Sequence, residues 1–244
     1  MVENYPFRVD SLIKLGPLLT LERITILEEK MEEDKQYPAV FLDRDGTINE
    51  EVGYLDRIEK LRLIPGAAEA IRLINESGMK TIVVTNQSGV ARNVFDEASV
   101  HEVHARLRDM LRAEGAFLDG VYYCPHHPTE GRGDYLQTCD CRKPAPGLLL
   151  RAAEELRLDL ARSYMVGDTL KDIEAGTRAG AKGILVRTGY GKEAAHQLGP
   201  VEDPRRKVPG KEDRPHGEEA IVRPVLITGD ILDAVRWLLK DRKT

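Results

Sequence analysis

Along most of this chain, short apolar runs ending in polar residues alternate with stretches whose apolar positions recur every three or four residues. AVFLD (39–43) predicts a buried parallel strand that delivers a carboxylate to one edge of a sheet. Ala67, Ala70, Ile71 and Ile74 predict a helix over 66–75, with Gly78 at its stop position. KTIVVTNQSG supplies a second strand, 98–114 a helix closed by Gly115, and 118–124 a third strand. A helix over 146–156, the strand SYMVGD, a short helix over 172–179 ending at Gly180, and the strand KGILVRTG follow. VLITGDILDAVRWLLK reads as a last strand, a cap at Gly229 and Asp230, and an amphipathic helix. This alternation predicts an α/β fold: a doubly wound parallel sheet of Rossmann type, flanked by helices. In such sheets ligands bind outside the carboxyl ends of the strands, and three of those ends carry Asp43, Thr85 and Asp168.

Two stretches stand outside the pattern. Residues 1–37 place Leu18, Leu21, Ile24, Leu27 and Met31 at helical spacing with glutamates opposite, an amphipathic N-terminal helical extension expected to pack on something apolar, with contact to a partner as the alternative. Residues 191–224 are dense in Pro, Gly and alternating charge and predict a long solvated loop or a partly disordered insertion. Arg205, Arg206 and Lys207 there are closely flanked by acids and read as solvated. The remainder, 38–244, is expected to form one domain.

The 244 residues carry 36 Lys and Arg against 41 Asp and Glu, a formal charge of −5. That balance disfavours a protein whose main task is gripping nucleic-acid backbone. The segment MVENYPFRVD is broken by charge and is not expected to be a secretory signal, and no apolar run approaches a membrane span. Three cysteines make a poor disulfide framework and favour a reducing compartment, so a cytoplasmic location is expected.

Asp43 and Asp45 lie two apart at a strand end, where extended geometry points both the same way and Gly46 then permits a sharp turn. Two close carboxylates require a cation between them or a proton on one. A lone Asp-x-Asp is weak evidence, but DRDGT after a buried strand is stronger. DRDGT, VVTNQSG with Thr85, CRKP with Lys143 and MVGDTLKD with Asp168 and Asp172, in that order, resemble the motifs of the haloacid dehalogenase superfamily of phosphohydrolases. The resemblance implies that Asp43 is the nucleophile. The chemistry agrees: Asp43 can attack phosphorus to form an aspartyl-phosphate, and Asp45 can protonate the departing oxygen and then activate water. Asp43, Asp168 and the backbone carbonyl of Asp45 offer oxygen ligands for catalytic Mg²⁺. The Thr85 hydroxyl, amides near Asn86 and the Lys143 ammonium would bind phosphoryl oxygens. Asp172 either orients Lys143, lies near the metal, or merely caps a helix.

The spacings from Asp45 to Thr85 and from Thr85 to Lys143 leave no room for a large cap domain, so a capless, open site is expected. CPHHPTEGRGDYLQTCDC places Cys124, His126, Cys139 and Cys141 in one loop (124–141), a donor set for structural Zn²⁺, with His127 pointing elsewhere. His101, His104, His196 and His216 fall outside that set and are expected to be exposed and without a role.

CPHHP…CDCRKP, with NQSGVAR upstream and SYMVGDTLKD downstream, is similar to the D-glycero-D-manno-heptose 1,7-bisphosphate phosphatases, which remove the 7-phosphate in ADP-heptose biosynthesis. That resemblance spans 39–191. It implies substrate contacts from Glu51, Val52, Gly53, Tyr54, Thr85, Asn86, Gln87, Ser88, Arg142 and Lys143. Arg142 beside Lys143 suits a second anionic group on a sugar bisphosphate. Histidinol-phosphate phosphatase, a relative that can carry a similar zinc loop, or another small sugar-phosphate phosphatase remains the alternative. A catalytically dead scaffold would usually lack one of the motif residues, and all are present. The expected partner is a small sugar phosphate, with neither nucleic acid nor membrane; the oligomeric state stays open, with a monomer as the working expectation.

Overall fold

The computed structural model describes residues 35–199 and 222–242, and those from Tyr37 onward belong to one compact unit. Six strands form a single sheet in the order β3-β2-β1-β4-β5-β6: β1 (Ala39–Leu42), β2 (Lys80–Asn86), β3 (Gly120–Cys124), β4 (Tyr164–Gly167), β5 (Lys182–Val186) and β6 (Leu226–Thr228). Every pairing is parallel, with Phe41 opposite Ile82 on one side and Met165 on the other. The helices are α1 (Ala67–Glu76), α2 (Glu97–Ala113), α3 (Gly147–Leu156), α4 (Leu170–Ala179), α5 (Gly191–Gln197) and α6 (Ile231–Asp241).

Alternation along the buried strands sorts their side chains into two layers. Val40, Leu42, Val83, Val166 and Ile184 meet Ile71 and Ile74 of α1, Leu107 and Leu111 of α2, and Val235 and Leu238 of α6. Ala39, Phe41, Ile82, Val84 and Met165 meet Leu148, Leu149 and Ala152 of α3 and Ala175 of α4. Burial on both faces is why these strands read as continuous apolar runs.

The predicted α/β architecture and helix stops hold: Gly78, Gly115 and Gly180 all adopt left-handed backbone. Asp230 caps α6 by accepting from the Asp233 amide at 2.9 Å. Three expectations change. Leu42 ends β1, and the chain turns at Arg44, whose carbonyl accepts the Ile48 and Asn49 amides; extended geometry therefore does not carry through to Asp45. Residues 191–197 are helical rather than loop, because Ala194 and Leu198 bury against Leu185 and Ile173. Helix α4 begins at Leu170, with Asp172 inside its first turn. The expected N-terminal helix (residues 18–31) and most of the 191–224 insertion lie outside the described residues, as does His216. Between β1 and β2, and between β2 and α3, the described chain holds α1, α2, β3, short helical turns and loops, with no separate cap.

Candidate active site

Asp43, Thr85 and Asp168 project from the carboxyl ends of β1, β2 and β4, neighbouring strands at the centre of the sheet, into one open cleft of about 200 Å³. The cleft forms where the order of connection reverses between β1 and β4, so the loops after these strands diverge to opposite faces.

Lys143 is the hub. It is 3 % exposed, and its ammonium lies 2.9 Å from Asp43 Oδ1 and 2.6 Å from Asp172 Oδ1 while donating to the Val84 carbonyl at 2.8 Å. Burial opposes its charge, but the two carboxylates outweigh burial and hold the lysine protonated far above its ordinary range. Its backbone is clasped by Asn86, whose side chain accepts from the Lys143 amide and donates to its carbonyl. Asp172 lies beside Lys143 and in the acid cluster, but it is not the N-cap of α4, which is Thr169; it is that cap's partner one turn in. One oxygen accepts from the Thr169 amide and hydroxyl in a capping box, and the other pairs with Lys143.

Asp43, Asp168 and Asp172 bring carboxylate oxygens within 4.8 Å of one another. Burial is the largest influence on Asp43, and despite Lys143 its pKa rises to about 7. Burial, then the charges of Asp43 and Asp172, lift Asp168 to about 8. Asp168 Oδ2 accepts the Tyr190 amide at 2.8 Å, whereas Oδ1 is buried without a hydrogen-bond partner. Such an orphaned oxygen in a cluster of acids suits a hard divalent cation. Gly46 and Gly189, both at positive φ, bring backbone so close to Asp168 Oδ2 that a Cβ at either would collide with it.

Asp45 meets a different set of partners. Arg44 Nη2 lies 2.7 Å from Asp45 Oδ2, Asn49 donates to Oδ1 at 2.9 Å, and Gln87 donates to Oδ2 at 2.9 Å. Burial opposes ionisation, but the Arg44 charge and these bonds outweigh it and lower the Asp45 pKa. The two aspartates of DRDGT thus each have their own cation, Lys143 for Asp43 and Arg44 for Asp45.

Of the substrate contacts expected around the cleft, Glu51, Gly53, Tyr54, Thr85, Asn86, Gln87, Ser88, Arg142 and Lys143 line it; Val52 does not, and is exposed. The Gln87 side chain is 5 % exposed and serves Asp45, Thr85 and Arg44 instead of facing open solvent. Arg142 donates to the His126 carbonyl at 3.1 Å, which ties the cleft wall to the cysteine loop.

That loop gathers Cys124, His126 Nδ1, Cys139 and Cys141 within 4.8 Å, with Cys141 Sγ 3.1 Å from Cys139 and 3.2 Å from Cys124. Three sulfurs and one imidazole nitrogen converging this closely match the donor set of a closed tetrahedral metal site. His127 points elsewhere, accepting the Thr129 and Glu130 amides.

Three residues escaped the sequence reading. Arg44 is 1 % exposed between two acids, and only the turn after β1 brings it against Asp45. Tyr190 and Phe95 line the cleft from loops far apart in the chain. The expectation for His104 is overturned: it is 5 % exposed, not solvent-facing, because α2 directs it under Arg44. His101 and His196 are exposed as expected.

A family model for HAD-hydrolase-like proteins matches residues 140–209. The chain is 48% identical over 157 residues to the D-glycero-β-D-manno-heptose-1,7-bisphosphate 7-phosphatase of Escherichia coli (strain K12), covering 64% of this chain and 82% of that one. It belongs to that phosphatase family. The Photorhabdus laumondii member is 48% identical over 154 residues, covering 62% of this chain and 81% of its own. The D,D-heptose 1,7-bisphosphate phosphatase of B. bronchiseptica, solved with magnesium and phosphate, superposes with a TM-score of 0.68 at 29% identity, over 84% of this chain and 99% of that one.

Proposed function

We propose that this protein hydrolyses the 7-phosphate of D-glycero-β-D-manno-heptose 1,7-bisphosphate through an aspartyl-phosphate on Asp43. The observation that carries this is the convergence of Asp43, Lys143 and Asp168 at the sheet edge, with Asp45 held separately beside them. The Asp43 carboxylate attacks phosphorus while the bond from phosphorus to the C7 oxygen breaks, and Asp45, which takes up a proton from solvent as the substrate binds, passes it to that oxygen. Asp45, now ionised as its arginine partner favours, takes a proton from water, which attacks the aspartyl-phosphate and releases inorganic phosphate.

Lys143 and the Thr85 hydroxyl bind phosphoryl oxygens, while Asn86 holds the Lys143 backbone in register. Asp43, Asp168 and the Asp45 backbone carbonyl would hold Mg²⁺, which when bound supplies positive charge against the developing phosphoryl charge. Asp172 holds Lys143 in place. Arg142, on the cleft wall, would receive the 1-phosphate, and Glu51, Gly53 and Tyr54 would contact the sugar. Cys124, His126, Cys139 and Cys141 would hold a structural Zn²⁺ that shapes this wall. A soluble cytoplasmic protein would meet its substrate there, and no described helix is long and apolar enough to cross a membrane.

The test is kcat/KM with Mg²⁺ for both anomers of the heptose bisphosphate, fructose 1,6-bisphosphate and histidinol phosphate, with Asp43→Asn as control. The β anomer should be preferred, and Asp43→Asn should lose essentially all turnover with its circular dichroism unchanged. Preference for histidinol phosphate would overturn the substrate assignment, and normal turnover by Asp43→Asn would overturn the nucleophile.

A further inference from the structure

Beneath the residues used by the proposed reaction, one buried histidine stands against the arginine that grips Asp45. We propose that His104 is a positioning residue: by accepting a hydrogen bond from Arg44 it fixes the guanidinium, and through it the Asp45 carboxylate. This rests on Asp45 being the acid and base described above.

Arg44 is buried, so its N–H groups must find partners inside the protein. Nε and Nη2 reach Asp45 Oδ1 at 3.2 and 3.0 Å, and Nη2 also reaches Asp45 Oδ2 at 2.7 Å and Gln87 Oε1 at 3.1 Å. Nη1 meets His104 Nε2 at 3.1 Å. A guanidinium only donates, so Nε2 accepts, and the imidazole is neutral with its proton on Nδ1. Burial beside the Arg44 charge agrees, holding His104 at a pKa of about 3.

The ring itself is braced. Val103, Leu107 and Leu111 root α2 in the core, and the Tyr123 ring of β3 meets His104 edge-on at 5.7 Å. The Tyr123 hydroxyl in turn donates to Glu97 at the start of α2. Two elements therefore hold one acceptor in place under one guanidinium. Without it, a buried N–H loses its partner and the guanidinium tilts to recover one, carrying the Asp45 carboxylate with it.

A pair of variants matched in polarity but not in reach tests this. The carboxamide oxygen of His104→Gln can take the place of Nε2, whereas that of His104→Asn stops short. With the heptose bisphosphate and Mg²⁺, His104→Asn should lower kcat about tenfold, leaving KM and inhibition by inorganic phosphate within about twofold. His104→Gln should stay within about threefold of the parent. Wild-type kcat in His104→Asn, equal loss in both variants, or loss confined to KM would overturn the proposal. Should His104→Asn fail to fold, His104→Leu against His104→Gln carries the same comparison. Asp45→Asn separates the two levels. If it is inactive while His104→Asn is normal, only the role of His104 falls; if it turns over normally, the reading of Asp45 falls with it.

Discussion

Four aspartates share one cleft, and what distinguishes them is the cation each one meets. Asp43 and Asp172 face Lys143, Asp45 faces Arg44, and Asp168 keeps one oxygen without a partner. Their motifs were legible in the sequence because Asp43 and Asp168 follow strand ends, Asp172 lies in a helix's first turn, and Asp45 falls in the turn that follows β1. The buried Arg44–His104 contact was not legible, since the two residues are sixty positions apart and nothing in either local pattern anticipates it. That contact has a consequence for stability. His104 is neutral when folded, with a pKa near 3 against an ordinary value of 6.5, so unfolding takes up a proton at acid pH. Its contribution is complete above about pH 6.5 and is lost as pH falls toward 3. Urea unfolding of His104→Gln between pH 7 and 4 should show a flatter loss of stability than the parent, and an identical slope would contradict the assignment.

Among the elements, helices and strands followed the apolar period closely, because each buries one face or both against the same core. Helix α5 reads as loop in the sequence because Ala194, Ala195 and Leu198 that anchor it are too few positions to establish a period. The cysteine loop lacks any period and is held by specific contacts: Tyr135 donates to Glu97 at 2.6 Å, and its ring lies 6.3 Å from that of His126. Hydrogen bonding with Cys124 and then burial push the Cys141 thiol well above its ordinary range, and burial raises the Cys139 thiol, so without a metal these two keep their protons. Metal binding would release them and tie down the loop. Protein purified without chelator should contain about one equivalent of zinc. Stripping it should lower Tm while leaving the Mg²⁺ requirement of turnover intact. Metal analysis without zinc, or an unchanged Tm after stripping, would count against this.

For the whole molecule, the sheet is both the core and the instrument that aligns the site. Phe41 is fully buried two residues before Asp43, packed in the layer under α3 and α4. Phe41→Ala should cost about 3–5 kcal/mol by urea unfolding, through lost burial and the cavity left behind; a loss under about 1 kcal/mol would show that this layer is not packed as described. The apolar runs, the turn glycines and the ordered acidic motifs determine the α/β class, the parallel sheet and the candidate acids from the sequence alone, because these depend on period and local backbone. Which cation each acid meets, the burial of His104 and the orphaned oxygen of Asp168 are decided only by tertiary structure. Those facts depend on parallel strands from distant parts of the chain ending side by side, where desolvation and charge act over a few ångströms irrespective of separation in sequence.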